Sequence, residues 1–209
     1  MLNSKPALHF KIKTILLSKV SVTLLHDRGQ LVAWFSYCND DAILSEVERG
    51  HIMDNQLFEI AQKLGQLLKS KEKKIATAES CTGGWIAQTI TEVSGSSAWF
   101  DRGFVTYSNA AKTEMLGVKP ETLYKFGAVS AQTATEMANG ALAHSHADCA
   151  IAVTGISGPD GGTVDKPVGT VFIAWAHKNE GVKVVQQKLT GNRHEIRWQT
   201  VKMALEGVD

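Results

Sequence analysis

Apolar residues that follow Asp54 recur with the 3.6-residue period of an α-helix. They fall on one face of the predicted helix, and they are Leu57, Ile60, Ala61, Leu64, Leu67 and Leu68. The pattern ends at the polar residues 69–72, which predict the end of the helix. A single apolar stripe is typical of a helix that packs on a core, so we expect a packing element here.

Farther along the chain, short apolar runs alternate with segments of helical spacing. After a strand that ends near Ala78, the pattern predicts strands at 103–107, 149–153, 170–176 and 182–188 and helices at 82–93, 110–116, 130–143 and 195–205. The last two strands flank a turn at residues 179–181, which favours an antiparallel hairpin. This order predicts an α/β fold: a three-layer α/β/α sandwich with a mixed, mostly parallel central sheet.

The first 52 residues have a different pattern. Short apolar runs on both sides of Asp27, Arg28 and Gly29 favour a hairpin. Residues 48–53 read Glu-Arg-Gly-His-Ile-Met, which a purine-rich tract before an ATG codon can encode, as at a bacterial ribosome-binding site. We therefore predict an N-terminal extension at 1–52, with the hypothesis that translation in the cell starts at Met53, and a functional domain at 53–209.

Composition and charge argue against several kinds of partner and site. A formal net charge of +1, from 22 basic and 21 acidic residues, and the lack of a basic cluster argue against a nucleic-acid partner. Cys38, Cys81 and Cys149 lie far apart, so neither a disulfide framework nor a zinc site is supported and a cytoplasmic location fits best. No apolar run approaches the roughly 18 residues of a membrane span, so no membrane partner is expected.

The strand that ends near Ala78 leads into small and hydroxyl-bearing residues, where a helix is predicted to begin. At such a corner Ser80 lies beside free backbone N–H groups and the positive end of the helix dipole, which suits a nucleophile whose oxyanion needs stabilisation. We expect Thr82, Gly83 and Gly84 to line this substrate site. A helix cap is the alternative role for Ser80.

The neighbours of Ser80 leave two further alternatives open. Cys81 competes as a nucleophile, although a small core residue is the other interpretation. Glu79 either orients neighbouring groups or satisfies backbone N–H groups, and the sequence does not separate these roles.

A base for Ser80 is predicted in a different segment. A strand ends at Tyr107, and Ser108 or Asn109 is a natural cap for the next helix, which places Lys112 in a first helical turn. The helix dipole and partial burial both lower the pKa of a lysine there, so that a neutral Lys112 accepts the serine proton and Tyr107 relays a proton or orients the lysine. An ordinary solvated lysine is the alternative.

A glycine-rich loop follows the buried strand 149–153. Ligand loops of α/β sheets lie at this place, so Thr154, Gly155, Ser157 and Gly158 are candidates to bind a phosphate or ribose. The loop lacks the Gly-Lys-Ser/Thr ending of a P-loop, and a simple chain reversal is the alternative.

Two other candidates are weaker. Arg102 either binds a substrate phosphate or pairs with Asp101 at the surface. His144 and His146 have no matching carboxylate or cysteine cluster, so no metal site is assigned.

Four blocks of the chain, taken in order, closely resemble the CinA C-terminal domain family. They span residues 78–84, 95–109, 127–130 and 155–162, and the match extends over about residues 53–206. The resemblance is to the stand-alone form, which hydrolyses nicotinamide mononucleotide to nicotinate mononucleotide and ammonia in pyridine-nucleotide recycling. It implies Ser80 as nucleophile, with Lys112 and Tyr107 assisting, no metal or organic cofactor, and a homodimer.

Two rival functions stay open. The same loops would serve a catalytically silent module that binds a pyridine nucleotide and reports its level to a partner. An amidase acting on another small carboxamide is the second rival.

Overall fold

The computed structural model describes the backbone of residues 13–17, 20–27, 30–37 and 41–208, and the side chains of residues 53–208. The chain divides into two compact units, Met1–His51 and Ile52–Asp209. In the first unit, β1 (Lys13–Leu17), β2 (Val20–Asp27) and β3 (Gln30–Tyr37) form an antiparallel sheet in that order. The predicted hairpin is thus present as the pair β2–β3, whereas its turn residues 28–29 lie outside the described residues.

Helix α1 (Asp41–Ser70) starts earlier than the sequence pattern predicted. We expected its start near Asp54, but residues 41–53 contain no proline and a single glycine, Gly50, so neither of the strong helix breakers prevents the helix from propagating through them. The predicted end at residues 69–72 is confirmed.

The second unit alternates strands and helices as predicted. Its elements are β4 (Ile75–Glu79), α2 (Trp85–Thr91), a 3-10 turn (Ser96–Ala98), β5 (Phe100–Val105), α3 (Asn109–Leu116), α4 (Pro120–Phe126), α5 (Ala131–Ala143), β6 (Cys149–Gly155), β7 (Thr170–His177), β8 (Gly181–Lys188) and α6 (Arg193–Glu206). The short helix α4, which begins with a proline in its first turn, was not predicted.

The five strands form a mixed sheet in the order β5-β4-β6-β7-β8. Strands β5, β4 and β6 are parallel, whereas β6, β7 and β8 pair antiparallel, so the predicted hairpin of the last two strands is confirmed. Helices α1, α2 and α6 cover one face with large apolar side chains, and α3, α4 and α5 cover the other. The predicted three-layer α/β/α architecture is confirmed.

The two faces of the sheet differ in side-chain size. In β6, Ile151 and Val153 point to the face covered by α1, α2 and α6, whereas Ala150 and Ala152 point to the face covered by α5. Small side chains let a helix approach the sheet closely. Helix α5 contributes Gly140, where an added Cβ would overlap the backbone carbonyl oxygen of Leu116 at the end of α3.

From β4 the chain goes to β5 on one side of β4, and after β5 it crosses to β6 on the other side. The carboxyl end of β4 is therefore a topological switch point. The ends of the three parallel strands are level there, because Glu79 pairs with both Val105 and Val153. Ligands of α/β sheets bind in the crevice at such a point. Among the described residues, no helix combines the length and apolarity needed to cross a membrane.

Candidate active site

Ser80 and Lys112 meet at this switch point. Ser80 follows β4 directly and is 8% exposed, and Lys112 lies in the first turn of α3, where Ser108 caps the helix by accepting the Ala111 N–H. Lys112 Nζ donates a hydrogen bond to Ser80 Oγ at 2.9 Å. The two residues selected from separate helix starts are therefore in direct contact.

The surroundings of Lys112 favour its neutral form. Its side chain is 1% exposed, and Nζ also donates to the Thr106 carbonyl oxygen at 2.8 Å. Burial lowers the pKa of Lys112 below the ordinary value of 10.5, and the nearby Cys81 thiol opposes this with a smaller effect. A lysine held in this way is suited to accept a proton from a hydroxyl group.

Ser80 and Lys112 open into a cleft of about 210 Å³. Its walls come from the ends of the parallel strands, the start of α3, the α4–α5 connection, the glycine-rich loop and the start of α6; they are Ser80, Cys81, Tyr107, Asn109, Lys112, Ala128, Val129, Thr154, Gly155, Ser157 and Arg193. The cleft thus brings together the candidate nucleophile Ser80, the candidate base Lys112 and the guanidinium of Arg193.

Arg193 is a residue of this cleft that the sequence did not reveal. Its Nη1 donates to the Gly158 carbonyl oxygen at 2.7 Å, and its Nη2 donates to the Tyr107 hydroxyl at 3.3 Å. Arg193 is the first residue of α6, after the cap Asn192. The sequence pattern predicted the start of this helix at residue 195, so Arg193 fell before it. The Asn192–Glu195 capping box is the signal that could have moved the start to Arg193.

Tyr107 lies at the rim of the cleft, with 64% of its surface exposed. Its hydroxyl contacts Arg193. Lys112 Nζ bonds to Ser80 and Thr106 instead, so the structure places Tyr107 beside the arginine of the site.

The glycine-rich loop contributes two hydroxyl groups, one that donates a hydrogen bond to a backbone oxygen and one that does not. Thr154 Oγ1 donates to the Ala128 carbonyl oxygen at 2.8 Å, so its proton is engaged within the protein. Ser157 Oγ is buried within weak hydrogen-bonding reach of the Cys81 thiol, and no nitrogen or oxygen atom in the described part of the chain bonds to it. Gly155 lets the loop pass close to β7, because an added Cβ would lie 2.7 Å from Val171 Cγ2.

The turn after Ser80 differs from the expected helix start. Helix α2 begins at Trp85, since Gly83 (φ +64°) and Gly84 (φ +96°) have left-handed backbone conformations that interrupt a right-handed helix. Gly83 and Gly84 line a separate shallow depression with Trp85 and His194. Thr82 is fully buried and bonds to Glu79.

Cys81 is not an alternative nucleophile at neutral pH. Burial raises the pKa of its thiol to about 12, so the thiolate form is scarce. Arg102 bonds to Asp101 at 2.6 Å and to the His144 carbonyl oxygen, and it does not line the cleft. Within the described residues, no three His, Cys, Asp or Glu side chains form a group suited to a metal ion.

Comparisons with known proteins agree with this picture. Residues 57–209 match the CinA C-terminal domain family. The nicotinamide-nucleotide amidohydrolase PncC of Escherichia coli K12 is 49% identical over 154 residues, which cover 73% of this chain and 93% of that protein. The protein of the same name from Pseudomonas putida is 50% identical over 152 residues, covering 71% and 92%.

Solved structures show the same fold. The competence/damage-inducible protein CihA of Agrobacterium tumefaciens superposes with a TM-score of 0.71 at 51% sequence identity, covering 72% of this chain and 92% of that one. A CinA-superfamily protein of Escherichia coli gives a TM-score of 0.69 at 34% identity. With three quarters of its length matched to the family and to full-length relatives of this similarity, the chain belongs to the CinA C-terminal domain family.

Proposed function

We propose that this protein hydrolyses the carboxamide of nicotinamide mononucleotide, giving nicotinate mononucleotide and ammonia in pyridine-nucleotide recycling. The observation that carries the proposal is the contact of 2.9 Å between Ser80 Oγ and the buried Lys112 Nζ. The amidohydrolase name of relatives about half identical in sequence supports the same reaction.

In the proposed first step, Ser80 attacks the carboxamide carbon. Neutral Lys112 has two N–H groups and one lone pair, so it keeps a bond to the Thr106 carbonyl oxygen while its lone pair takes the Ser80 proton. A bond forms between Ser80 Oγ and the carbon, and the carbonyl electrons move onto oxygen. The resulting tetrahedral intermediate requires donors for its oxyanion.

In the second step, the carbon–nitrogen bond breaks and ammonia leaves with the proton that Lys112 holds. A nicotinoyl ester on Ser80 remains. Water then attacks this ester, with Lys112 again taking the proton, and nicotinate mononucleotide is released as Ser80 regains its hydrogen. The same two side chains therefore serve both halves of the reaction.

Arg193 is the proposed partner of the substrate phosphate. Its guanidinium lies in the cleft wall and donates hydrogen bonds to one carbonyl and one hydroxyl oxygen, and no carboxylate among residues 53–208 forms an ion pair with it. Guanidinium groups suit phosphate because they offer several N–H donors in one plane. Ser157, whose hydroxyl bonds to no nitrogen or oxygen atom among the described residues, is a second candidate for contact with the nucleotide.

Three expectations from the sequence stay predictions. Tyr107 as a proton relay is to be tested with Tyr107→Phe, because its hydroxyl contacts Arg193. The homodimer is to be tested by light scattering of the purified protein. The cytoplasmic location is to be tested by fractionation of the native cells.

Ammonia release from nicotinamide mononucleotide tests the proposed function. The wild-type protein should release ammonia and form nicotinate mononucleotide, whereas Ser80→Ala and Lys112→Met should fold but lose about 10³-fold or more of kcat. Circular dichroism controls for folding. Binding of the nucleotide without ammonia release by the wild-type protein would sink the proposal and favour the silent binding module.

A further inference from the structure

Glu79 is a fully buried carboxylate directly before the nucleophile. It accepts hydrogen bonds from the amides of Gly84, Ile86 and Ala87 at 3.1, 2.9 and 2.8 Å. It also accepts from Thr82 Oγ1 at 2.7 Å and from Thr77 Oγ1 at 3.4 Å. The N-terminus of α2 thus already holds an anion that belongs to the protein itself.

The other amides of this turn are also engaged. The Ser80 N–H donates to Val153 O, Gly83 N–H to Ser80 O and Trp85 N–H to Thr82 O. Within the described residues 80–87, two amides have no bond to a nitrogen or oxygen acceptor: that of Thr82, which is fully buried and does not line the cleft, and that of Cys81, which lines the cleft and faces only its own thiol sulfur. Cys81 directly follows the nucleophile, and α/β-hydrolases place an oxyanion donor at this position.

Arg197 binds two backbone carbonyl groups of the same turn. Its Nε donates to the Cys81 carbonyl oxygen at 3.2 Å, and its Nη2 donates to the Thr82 carbonyl oxygen at 2.7 Å. These two charge-assisted bonds hold the residues that directly follow Ser80.

We propose that Glu79 is a positioning residue that reserves the Cys81 amide as the oxyanion donor. By binding the amides of α2 and the Thr82 hydroxyl, its carboxylate fixes the turn that carries Ser80 and leaves the Cys81 N–H for the intermediate. The inference rests on the proposed amidohydrolase reaction. It replaces the oxyanion site expected from the sequence, the start of the helix itself, because Glu79 occupies those donors.

The test compares a tetrahedral adduct with a ground-state ligand. Pyridine-3-boronic acid gives the adduct: Ser80 Oγ bonds to boron as its proton passes to Lys112, no carbon bond breaks, and an anionic boronate forms. Nicotinate mononucleotide, the product, is the ground-state ligand. For Glu79→Gln, we expect kcat and boronate affinity to fall together, at least about tenfold, and product affinity to change less than twofold.

Glu136→Gln is the matched control. The Glu136 carboxylate caps α4 in the same manner, accepting the Lys119 N–H at 2.8 Å and Thr122 Oγ1 at 2.7 Å, but it does not line the cleft. This variant should keep kcat and boronate affinity. If Glu79→Gln does not fold, Thr82→Val removes one donor to Glu79 and should lower the same two quantities without changing product affinity.

Three results overturn the inference. They are an unchanged kcat and boronate affinity in Glu79→Gln, an equal loss of boronate and product affinity, and the absence of a Ser80-dependent boronate in the wild-type protein. Lack of ammonia release by a wild-type protein that still forms the boronate is a different result. It would reject the proposed substrate, and the affinities of the variants would still decide the role of Glu79.

Discussion

The rate of the proposed reaction depends on the protonation state of Lys112. Its pKa is lowered by burial, and only its neutral form accepts the Ser80 proton. We therefore expect kcat/KM to rise with pH through the pKa of Lys112 and to level off below the ordinary lysine value of 10.5. A pH profile with nicotinamide mononucleotide measures this, and a rate that falls over the same range would contradict a neutral base.

The same shift predicts a pH dependence of stability. Because the pKa of Lys112 is lower in the folded protein than in the unfolded chain, the unfolded chain binds more protons between the two values. The free energy of unfolding should rise with pH in that window. Lys112→Met should remove this part of the dependence in urea titrations at several pH values, and an unchanged slope would contradict the burial of an ammonium group.

Arg193 offers a prediction about substrate choice. Arg193→Gln removes the cation proposed to bind the phosphate, so KM for nicotinamide mononucleotide should rise about ten- to a hundredfold, as for loss of a charge-assisted hydrogen bond. Nicotinamide riboside, which lacks the phosphate, should be much less affected. Arg102→Gln is the control, since Arg102 does not line the cleft. An equal loss with both substrates would argue against phosphate binding.

Cys81 provides a test of the choice between serine and thiol. With a thiol pKa of about 12 and 6% exposure, Cys81 should resist iodoacetamide at neutral pH, and activity should persist. Mass spectrometry of the peptide reads the modification, and the urea-unfolded chain is the positive control. Rapid alkylation of Cys81 with loss of ammonia release would reopen the thiol interpretation.

At the scale of elements, local signals predicted the boundaries of α3 and α5 well. Ser130 caps α5, Ser108 caps α3 and Gly117 ends α3 at φ +66°. These residues act through their own backbone, so their effect can be read from a few neighbouring positions. The start of α1 at Asp41 was missed although Asn39 and Asp40, residue types that favour a helix N-cap, directly precede it.

The arrangement of elements sets a limit to sequence-based inference about the site. The Ser80–Lys112 contact depends on the parallel register that pairs Glu79 with Val105. Each residue was a candidate on local grounds, but no local pattern encodes that register. The role of Glu79 was left open for the same reason: its acceptor bonds require the left-handed turn at Gly83 and Gly84, which brings the amides of α2 back to it.

The packing of α5 against α3 supplies an element-scale prediction. Alanine favours a helix over glycine by about 1 kcal/mol, yet a Cβ at Gly140 would overlap the Leu116 carbonyl oxygen. We expect Gly140→Ala to lower the free energy of unfolding by about 1–3 kcal/mol, as for other overpacked sites. Asn139→Ala, at the exposed neighbouring position, should change it by less than about 0.5 kcal/mol. Urea unfolding compares them, and a stabilised Gly140→Ala would refute the close packing.

For the whole molecule, the question is whether residues 53–209 suffice for folding and for ammonia release. The family match begins at residue 57, and the second compact unit begins at Ile52. The core of this unit includes Leu57, Leu64 and Leu68 of α1, and Trp198 Nε1 donates to the Met53 carbonyl oxygen at 3.2 Å. The α1 residues described in this core therefore all come after Met53.

A chain that begins at Met53 should consequently fold and retain the kcat for ammonia release within about twofold of the full chain. Removing the first part of α1 frays a helix end but leaves the packed face of the helix intact. Urea unfolding and the ammonia assay compare the two chains, and a chain beginning at Leu64, which lacks Leu57 and Ala61, is the destabilised control. Loss of activity in the chain that begins at Met53 would show that the catalytic unit requires residues before it.

Mass spectrometry of the protein from its native cells decides the start of translation. A peptide from residues 1–52 would reject the start at Met53.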